Sequence, residues 1–422
     1  MNRYDLTVCG GGTAGVAAAY IGAKYGLKTL VIEKRIHLGG TMTSALVMPV
    51  MKSNTQNINC EFYNDFIDEL KKFNGQITYC DGNRGWFNPE LSKLALDSML
   101  ERVNCDILYN TEIVDAFTED RLVKSICVSS KMLSLYIDSS YFVDATGDGN
   151  FSQALKNNML KNPKSRQPMT LRFQVSNIDM KTFSDWLLKI DTDRNVTTVC
   201  EVNGEIHLST ACTWDNNKHW ALKSIFDEAV KNGDLTISDT AYFQIFSIPG
   251  MPGSISLNCP RIQLDKDIDP LDAFARSKAL TLARKQIWHL YCFLKKYFPG
   301  FEHSYISNMA DMVGVRESRR VEGQKIYTKE DILSGKKYDN PVLHADYPID
   351  IHSYNKDGST LQSTRVDYEL PMECLKASGF DNLYIAGRIV SADFEAQAAL
   401  RIQSSCFSMG EAAAKDIYKR LR

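Results

Sequence analysis

Three glycines and one acid near the start of the chain have the types and spacing that bind a dinucleotide. Gly10, Gly12 and Gly15 form a G-x-G-x-x-G pattern, and Glu33 follows it by 18 residues. In this pattern the first glycine permits a tight turn, the second lets the backbone approach a pyrophosphate, and the third lets a helix pack closely on a strand. A carboxylate at this distance accepts hydrogen bonds from a ribose. The pattern predicts nucleotide binding; the alternative is a glycine-rich turn that binds nothing.

Charged residues in the last third of the chain could bind an anion and move a proton. Arg316, Glu317 and Arg319 form a dense group of charges in an apolar stretch. Arginine clamps a carboxylate through two parallel hydrogen bonds, so Arg316 is a candidate catalytic residue, with a buried ion-pair network as the alternative. His352 is a candidate general base because imidazole titrates near neutral pH, and a structural role is the alternative. Arg401 is a candidate cation for binding the substrate, and the alternative is a surface position or an ion pair.

The first glycine pattern lies where a strand would turn into a helix. Residues 6–9 are a short apolar run typical of a buried parallel strand, residues 16–25 form an alanine-rich helix, and residues 29–32 form a second strand that ends at Glu33. The start of the helix offers unpaired N–H groups and the positive end of its dipole to phosphates. This order of elements completes the dinucleotide-binding fingerprint.

Two later stretches repeat the passage from a strand into a glycine turn. Residues 141–145 run into Thr146-Gly147-Asp148, and residues 382–386 run into Gly387-Arg388. Gly39-Gly40-Thr41 is a further place where backbone can come close to a ligand, with an ordinary loop as the alternative. A NAD-dependent dehydrogenase normally completes its nucleotide site within one N-terminal domain. Turns at both ends and at the centre of the chain instead indicate one long ligand shared by distant segments, and FAD is such a ligand.

The pattern between these turns predicts β-rich segments. Residues 106–137 resemble a small antiparallel insert of short strands, separated by a polar turn from the strand at 141–145. Further on, Asp269-Pro270 opens a long helix, on which Phe274 and Trp288 belong to an aromatic stripe that we assign to the core.

Composition limits the class of protein. The chain of 422 residues has a net charge of −2, so no overall field draws it to nucleic acid or to an anionic membrane. Its 11 cysteines form no C-x-x-C pair and no metal-ligand cluster, which favours buried thiols in a reducing compartment. The sequence shows no signal peptide and no apolar run of the ~18 residues that a membrane helix needs. We therefore expect a cytoplasmic protein without a membrane span, a nucleic-acid partner or a metal site.

The chain resembles the FAD-dependent oxidoreductases of the glutathione-reductase fold. Within that group it is similar to the bacterial family of the same name, near the fumarate reductase and L-aspartate oxidase branch. The resemblance covers most of the chain and is carried by residues 10–15 with Glu33, Gly39-Gly40-Thr41, residues 145–148, residues 314–320, and residues 386–388 with the helix that follows. It implies an α/β fold with a Rossmann-like FAD-binding domain, discontinuous over 1–165 and 306–422, and an α+β cap domain over 166–305.

The resemblance also implies which residues hold the cofactor. The pyrophosphate is assigned to Gly10, Gly12, Thr13, Ala14 and Gly15, the adenosine to Glu33, Lys34 and Ile113, the ribityl side to Gly40, Thr41, Gly387 and Arg388, and the cover of the dinucleotide to Thr146, Gly147 and Asp148. Gln403 and Ser404 would begin the last helix, whose dipole stabilises negative charge on the reduced flavin. No nearby histidine suits covalent attachment, so the FAD is expected to be non-covalent. Asp393-Phe394 stand where family members often carry Thr-His.

Together these features predict an enzyme that moves a hydride between FAD and a small organic substrate, at a C–C, C–OH or C–NH bond. A carboxylate is the candidate substrate group, and in the branch named above an arginine can also relay a proton. The electron donor or acceptor is not specified by the residues. The absence of C-x-x-C after the first helix argues against disulfide reductase chemistry. Two alternatives stay open: a flavoprotein that modifies RNA, against which the near-neutral charge argues, and a flavin redox sensor without turnover.

Overall fold

The computed structural model describes residues 3–53, 58–161, 167–211, 220–262, 269–352, 359–364 and 366–422. The predicted domain boundary between residues 165 and 166 lies outside these ranges. The described strands form two large sheets and several short two-stranded ladders, which pack around three hydrophobic clusters.

The elements follow one another in three groups. The first group is β1 (Arg3–Cys9), α1 (Thr13–Lys24), β2 (Thr29–Ile32), α2 (Glu61–Lys72), β3 (Gln76–Ile77), β4 (Trp86–Phe87), α3 (Pro89–Arg102), β5 (Asp106–Leu108), β6 (Glu112–Glu119), β7 (Leu122–Ser130), β8 (Leu133–Asp144) and α4 (Asn150–Ala154). The second is β9 (Met169–Thr170), β10 (Phe173–Ser176), α5 (Met180–Ile190), β11 (Thr198–Val202), β12 (Glu205–Ala211), α6 (Lys223–Lys231), a 3₁₀ turn (Ile237–Thr240), β13 (Gln244–Ser247), β14 (Ile255–Leu257), β15 (Arg261–Ile262), α7 (Ala273–Tyr297) and β16 (Tyr305–Met309). The third is α8 (Lys329–Leu333), β17 (Pro341–Ala345), β18 (Ile349–His352), β19 (Ser359–Gln362), β20 (Tyr368–Pro371), a 3₁₀ turn (Met372–Cys374), β21 (Leu383–Ile385), α9 (Phe394–Leu400) and α10 (Gln403–Leu421).

The first sheet joins parallel strands to an antiparallel ribbon. Strands β5, β2, β1, β8 and β21 run parallel in that order, while β6, β7 and the first half of β8 form an antiparallel meander. The break predicted before residue 141 is wrong, because β8 is one strand of 12 residues. Its first half pairs with β7 and its second half pairs with β1 and β21, so both predicted runs belong to it.

The three predicted glycine turns meet at one edge of this sheet. Strand β8 lies between β1 and β21, and Cys9, Asp144 and Ile385 stand in register at the ends of the three strands. The carboxyl ends of parallel strands form the crevice in which open α/β sheets bind ligands. Segments far apart in the sequence therefore contribute to the same crevice, as the recurrence of the turns predicts.

Helices α1 and α10 cover this edge and touch each other through glycine. A Cβ atom at Gly410 of α10 would lie 2.0 Å from the carbonyl oxygen of Ala14 in α1. A Cβ atom at Gly15 would lie 1.8 Å from the carbonyl oxygen of Gly10. Both approaches exclude any larger residue, so the start of α1 is clamped between the strand that precedes it and the last helix.

The second sheet is antiparallel, in the order β11-β12-β13-β14-β10-β16, and its core includes one face of α7. That face carries Ala283, Ile287 and Leu290, which are fully buried. The predicted stripe of Phe274, Thr281, Trp288, Tyr291 and Leu294 is the core face only in part: Leu294 is fully buried and Tyr291 packs against the core, but Phe274 is 87% exposed and Trp288 is 59% exposed. The helix is buried mainly through a neighbouring stripe that includes Leu290 and Phe293.

Candidate active site

The first glycine turn leaves space at the start of α1. Gly10 has a φ of +100°, and a Cβ atom there would lie 2.6 Å from the carbonyl oxygen of Ala145. Gly12 immediately precedes α1, and a Cβ atom there would meet only Gly40 Cα at 3.9 Å and the Ala145 oxygen at 4.0 Å. Gly10 is thus required by the fold, whereas the space above Gly12 fits a ligand that approaches the backbone.

Glu33 is buried at the end of β2 and is held by backbone donors. Its Oε2 accepts a hydrogen bond from the N–H of Gly11 at 2.8 Å, and its Oε1 accepts one from the N–H of Arg35 at 2.9 Å. Each carboxylate oxygen keeps a further lone pair for a ribose hydroxyl. Of the other residues assigned to the adenosine, Lys34 is exposed and Ile113 is half-buried on β6.

The Gly39-Gly40-Thr41 segment lies directly against the first turn. The N–H of Gly39 donates to the carbonyl oxygen of Gly11 at 2.9 Å, and a Cβ atom at Gly40 would lie 2.8 Å from Gly12 Cα. The Thr41 hydroxyl lies 3.4 Å from the Thr13 hydroxyl. The structure therefore brings Gly40 and Thr41 to the residues assigned to the pyrophosphate.

Asp144 shapes the second glycine turn, and the sequence analysis did not single it out. Its side chain is fully buried. One carboxylate oxygen accepts hydrogen bonds from the N–H and hydroxyl of Thr146 at 3.0 and 2.7 Å. The other accepts from the N–H and hydroxyl of Ser152 at 2.8 and 2.6 Å. These four bonds fold the chain back after β8 and set the position of Gly147.

Arg388 joins the third glycine turn to the second. Its guanidinium donates to the carbonyl oxygen of Gly147 at 2.8 Å, to Asp148 at 2.5 Å and to the carbonyl oxygen of Val315. Burial raises the pKa of Asp148, but the charge of Arg388 and the hydrogen bond from Ser318 outweigh it, so this pKa lies below its usual value. The Arg388 head group is thus engaged with protein oxygens at the mouth of the crevice.

The start of α10 carries buried polar atoms without partners in the described part of the chain. Gln403 donates through Nε2 to the carbonyl oxygen of Val47 at 2.6 Å, but its Oε1 and the hydroxyls of Ser404 and Ser405 have no hydrogen-bond partner there. Buried polar groups are nearly always satisfied, so these atoms fit a ligand seated at the helix start. Together with the space above Gly12, they fit the cofactor that the sequence predicts.

Strand β9 assembles a second group of polar residues beside this crevice. Thr170 of β9 pairs with Arg261 on one side and with Gly314 on the other. The Arg316 guanidinium then donates to the Thr170 hydroxyl at 3.0 Å and to the carbonyl oxygen of Pro168 at 2.5 Å. Two arginines that are 55 positions apart in the sequence are therefore brought together by one short strand.

His352 lies between an arginine and a carboxylate. Its Nδ1 is 2.7 Å from the Arg261 guanidinium and its Nε2 is 3.2 Å from Asp350. Because arginine can only donate, Nδ1 accepts and the ring proton lies on Nε2. Burial and the charge of Arg316 hold the pKa of His352 well below 6.5, although Asp350 opposes them. The ring is therefore neutral, and both of its nitrogens have protein partners.

Asp350 also binds Arg401. The Arg401 guanidinium lies 3.2 Å from the Asp350 carboxylate, and Arg401 follows α9, which packs against β18. Burial raises the pKa of Asp350, but the hydrogen bond from His352 and the charge of Arg401 outweigh it, so this pKa lies below its usual value. The Arg401 Nε atom is buried without a partner among the described residues.

Two further buried residues complete what we call the arginine cluster. Arg172 donates to the carbonyl oxygens of Leu46 and Met48 at 3.2 and 3.0 Å, and burial lowers its pKa to about 10. The Tyr242 ring lies 4.2 Å from the Arg261 guanidinium. The cluster is defined as Arg172, Arg261, Arg316, Arg401, Asp350, His352 and Tyr242. Burial together with the charges of Arg261 and Arg401 holds the pKa of Arg316 well below its usual value.

The structure thus brings the three predicted catalytic residues, Arg316, His352 and Arg401, into one cluster. Within the described part of the chain, Arg319 and Glu317 have other hydrogen-bond partners. Arg319 donates to the carbonyl oxygen of Asp148 at 3.2 Å, and Glu317 accepts from the N–H of Gln167 at 3.3 Å.

The sequence analysis missed Arg172, Arg261, Tyr242 and Asp350. Asp350 lies two positions before His352 on the same strand, and that alternation was a usable signal. Asp393, at the position where the family often differs, caps α9 by accepting from the N–H of Ala396 at 2.7 Å.

Residues 5–416 match the model of the family described as FAD dependent oxidoreductase. The chain belongs to this family. Membership confirms the predicted FAD cofactor and the predicted class, an FAD-dependent oxidoreductase with a Rossmann-like α/β fold. The buried polar atoms without described partners at the start of α10 and the open space above Gly12 fit that cofactor.

Individual relatives of this FAD-dependent oxidoreductase match over shorter stretches. Thiamine thiazole synthase from Metallosphaera sedula is 29% identical over 153 residues, which are 34% of this chain and 54% of the relative. Digeranylgeranylglycerophospholipid reductase from Thermoplasma acidophilum is 59% identical over 39 residues, 9% of this chain and 10% of the relative. The chain therefore spans about half the length of the first relative and about a tenth of the second.

A solved structure also aligns with the whole chain. The alignment with the geranylgeranyl bacteriochlorophyll reductase-like protein from Thermoplasma acidophilum covers 100% of this chain and 79% of that protein, at 12% identity and a TM-score of 0.48.

In the part of the chain that the structure describes, no helix combines the length and the apolar character that crossing a membrane requires.

Proposed function

We propose that this FAD-dependent oxidoreductase moves a hydride between non-covalently bound FAD and a small organic substrate that carries a carboxylate. The observation that carries the proposal is the arginine cluster, in which the half-buried Arg316 and Arg401 lie near Asp350 and the Arg401 Nε atom is buried without a partner among the described residues. Buried charges are paired unless a ligand compensates them. A carboxylate is the group whose two oxygens match the arginine fork.

The FAD would be held by the residues that the sequence analysis assigned to it. These are Gly10, Gly12, Thr13, Ala14, Gly15, Glu33, Lys34, Gly40, Thr41, Ile113, Thr146, Gly147, Asp148, Gly387, Arg388, Gln403 and Ser404. When bound, FAD supplies the two-electron redox chemistry. Within this set, Arg388 has the indirect role of fixing the Gly147 turn, because its guanidinium is engaged with protein oxygens.

The members of the cluster have different proposed roles. Arg401 is the substrate clamp, because its buried Nε atom has no partner among the described residues. Arg316 is the proton carrier, since burial and two like charges favour loss of its proton more than for an ordinary arginine. His352 is a positioning residue rather than the general base expected from the sequence: it links Arg261 to Asp350 through both ring nitrogens.

The finer placement of the chain is also a proposal. A position near the fumarate reductase and L-aspartate oxidase branch is supported by the arginine-rich cluster beside the crevice. A discontinuous FAD-binding domain, 1–165 plus 306–422, is supported by β21, which completes the first sheet. The 166–305 cap is supported by the second sheet, although that sheet extends to Met309. A cytoplasmic location stays a prediction from the sequence.

The test begins with the visible spectrum of the purified protein before and after heat denaturation. Bands near ~450 nm that pass to the supernatant support non-covalent flavin. Oxidised protein is then mixed anaerobically with a panel of saturated, 2-hydroxy and 2-amino carboxylic acids, and bleaching of the flavin is followed. We expect bleaching with at least one acid and none with its amide. If every acid fails, or if acid and amide react equally, the carboxylate proposal is wrong; a flavin reduced only by dithionite points to a redox sensor.

Variants locate the reaction. For the acid that bleaches the flavin, Arg401→Met should raise the concentration for half-maximal rate about 30- to 100-fold, because a charge-assisted pair is lost. The matched control is Arg121→Met, which removes an exposed arginine paired with Asp381 and should leave this value unchanged. Equal effects of the two substitutions would contradict the assignment of the clamp.

A further inference from the structure

A cavity of about 400 Å³ lies beside the loop from Gly40 to Met48, and no member of the arginine cluster lines it. Ser44, Leu46 and Gln174 line it with buried side chains. Lys93 and Asp311 line it with partly exposed charged side chains. Its volume falls within the roughly 300–1,000 Å³ of typical small-molecule sites. The cavity therefore has a polar, accessible part and a buried part.

Two buried polar atoms of the cavity lining have no partner in the described part of the chain. These are the Ser44 hydroxyl and the Gln174 Nε2 amide, and both residues are only 1% exposed. Leaving such a group unsatisfied costs about 1–3 kcal/mol. One water occupies about 30 Å³, so the cavity offers room for a far larger hydrogen-bonding ligand.

The lining indicates the chemistry of that ligand. The Gln174 amide can only donate through Nε2, and it therefore calls for an acceptor such as a carbonyl oxygen; the Ser44 hydroxyl can serve the same group. Leu46, Met251 and Met309 supply apolar surface nearby, and methionine adapts its shape to flat rings. We propose that this cavity binds a planar, carbonyl-bearing ring, a quinone or a nicotinamide, which is the second redox partner of the enzyme.

The loop from Gly40 to Met48 connects the cavity to both other sites. The Ser44 N–H donates to the Gly40 carbonyl oxygen at 2.8 Å, and the Leu46 carbonyl oxygen accepts from Arg172 of the arginine cluster at 3.2 Å. Leu46 and Ser44 also line the cavity. One short loop therefore contacts the proposed cofactor cradle, the proposed carboxylate site and the cavity, so a ring bound here is close to both.

This inference rests on the proposed function, because a hydride taken from or given to the substrate needs a second partner to restore the FAD. A reduced nicotinamide would lose a hydride from C4 to the FAD and leave as the oxidised form. A quinone would instead take two electrons from the reduced FAD and two protons, one of them from solvent, and leave as the quinol. Both partners present a carbonyl oxygen on or beside a flat ring, which is the chemistry they share.

Binding is tested on oxidised holoprotein, where neither probe can react. The protein is titrated calorimetrically with duroquinone, whose fully substituted ring does not add thiols, and separately with NAD⁺. We expect one of the two to bind, and Gln174→Leu and Ser44→Ala each to weaken it at least tenfold. Gln174→Glu keeps the size but replaces the donor, and should weaken binding at least as much.

Matched controls separate the cavity from general damage. Gln286→Leu and Ser391→Ala change buried residues that also carry an unpaired polar atom in the described chain but do not line the cavity, so they should bind the probe like the natural protein. Each variant is checked by thermal melting and by its flavin spectrum. Absence of binding for both probes, or equal weakening in variants and controls, overturns the inference. If the same preparations still bleach with a carboxylate, only this inference fails and the proposed function stands.

Discussion

The difference between Gly12 and Gly15 gives a sharp test of the cofactor cradle. Gly12 has φ −74° and ψ −170°, which alanine adopts freely, and its Cβ would meet nothing closer than 3.9 Å. Gly12→Ala should therefore leave the apoprotein as stable as before, or more stable by about 0.4–1 kcal/mol because the unfolded chain loses freedom. The new methyl group would occupy the space through which a pyrophosphate reaches the backbone.

Gly15→Ala makes the same chemical change 3 positions later with the opposite expectation. Its Cβ would lie 1.8 Å from the Gly10 carbonyl oxygen and 3.2 Å from the Ala145 Cβ. Overpacking of this kind costs about 1–3 kcal/mol or more, and the gain in helix propensity, about 1 kcal/mol, does not offset it. The apoprotein of this variant should unfold at clearly lower urea concentration.

The assay has two readouts. Urea denaturation of apoprotein gives the free energy of unfolding, and quenching of flavin fluorescence gives the dissociation constant for FAD. For Gly12→Ala we expect unchanged unfolding and a dissociation constant raised at least tenfold, about 1.4 kcal/mol. The assignment of the cradle would be refuted if Gly12→Ala bound FAD as tightly as the natural protein does. It would also be refuted if the Gly12→Ala apoprotein lost as much free energy of unfolding as the Gly15→Ala apoprotein.

Three other expectations concern stability and affinity. Asp144→Asn should lower the free energy of unfolding by about 3 kcal/mol in urea, because an amide group cannot accept both hydrogen bonds that reach the second carboxylate oxygen. His352 is neutral in the folded chain, because its pKa lies well below 6.5. The free energy of unfolding should therefore fall as the pH drops from about 6.5 towards 5, by at most about 1.4 kcal/mol per pH unit. His352→Gln should reduce this slope in urea titrations at several pH values, while His207, whose pKa burial also lowers, maintains part of it. Arg388→Lys should raise the dissociation constant for FAD about tenfold in fluorescence titrations, because one ammonium cannot reach the Gly147, Asp148 and Val315 oxygens together; an unchanged value would contradict the role given to this arginine.

The cofactor side of the site was predictable because its signals are local. Each glycine turn directly follows an apolar strand, and the structure brings the ends of these strands together at one edge of the sheet, as the recurrence of the turns predicts. Asp144 escaped notice because an acid at the end of a strand has many uses, and only the fold shows that Thr146 and Ser152 both donate to it.

The substrate side was predictable only in part. Arg316 and His352 stood out by type, but Arg172 and Arg261 occur in ordinary strand-like stretches, and only the pairing of β9 shows that Arg261 lies beside Arg316. The aromatic stripe of α7 failed in part for a related reason: Trp288 shares a helix with a second apolar stripe, and periodicity cannot choose which of two stripes meets the core.

The late arrival of β21 has a consequence for synthesis. Leu383 follows Asp144 by 239 residues, so at roughly 5–20 residues per second the second half of β8 waits about 12–48 s on the ribosome for its neighbour. During that interval the strand presents an open edge, which is a template for mispairing with other chains. The turn at Gly387 also does not yet exist, so abundant FAD cannot rescue the early nascent chain. The cofactor can therefore stabilise the complete crevice only in a chain that has already closed its sheet.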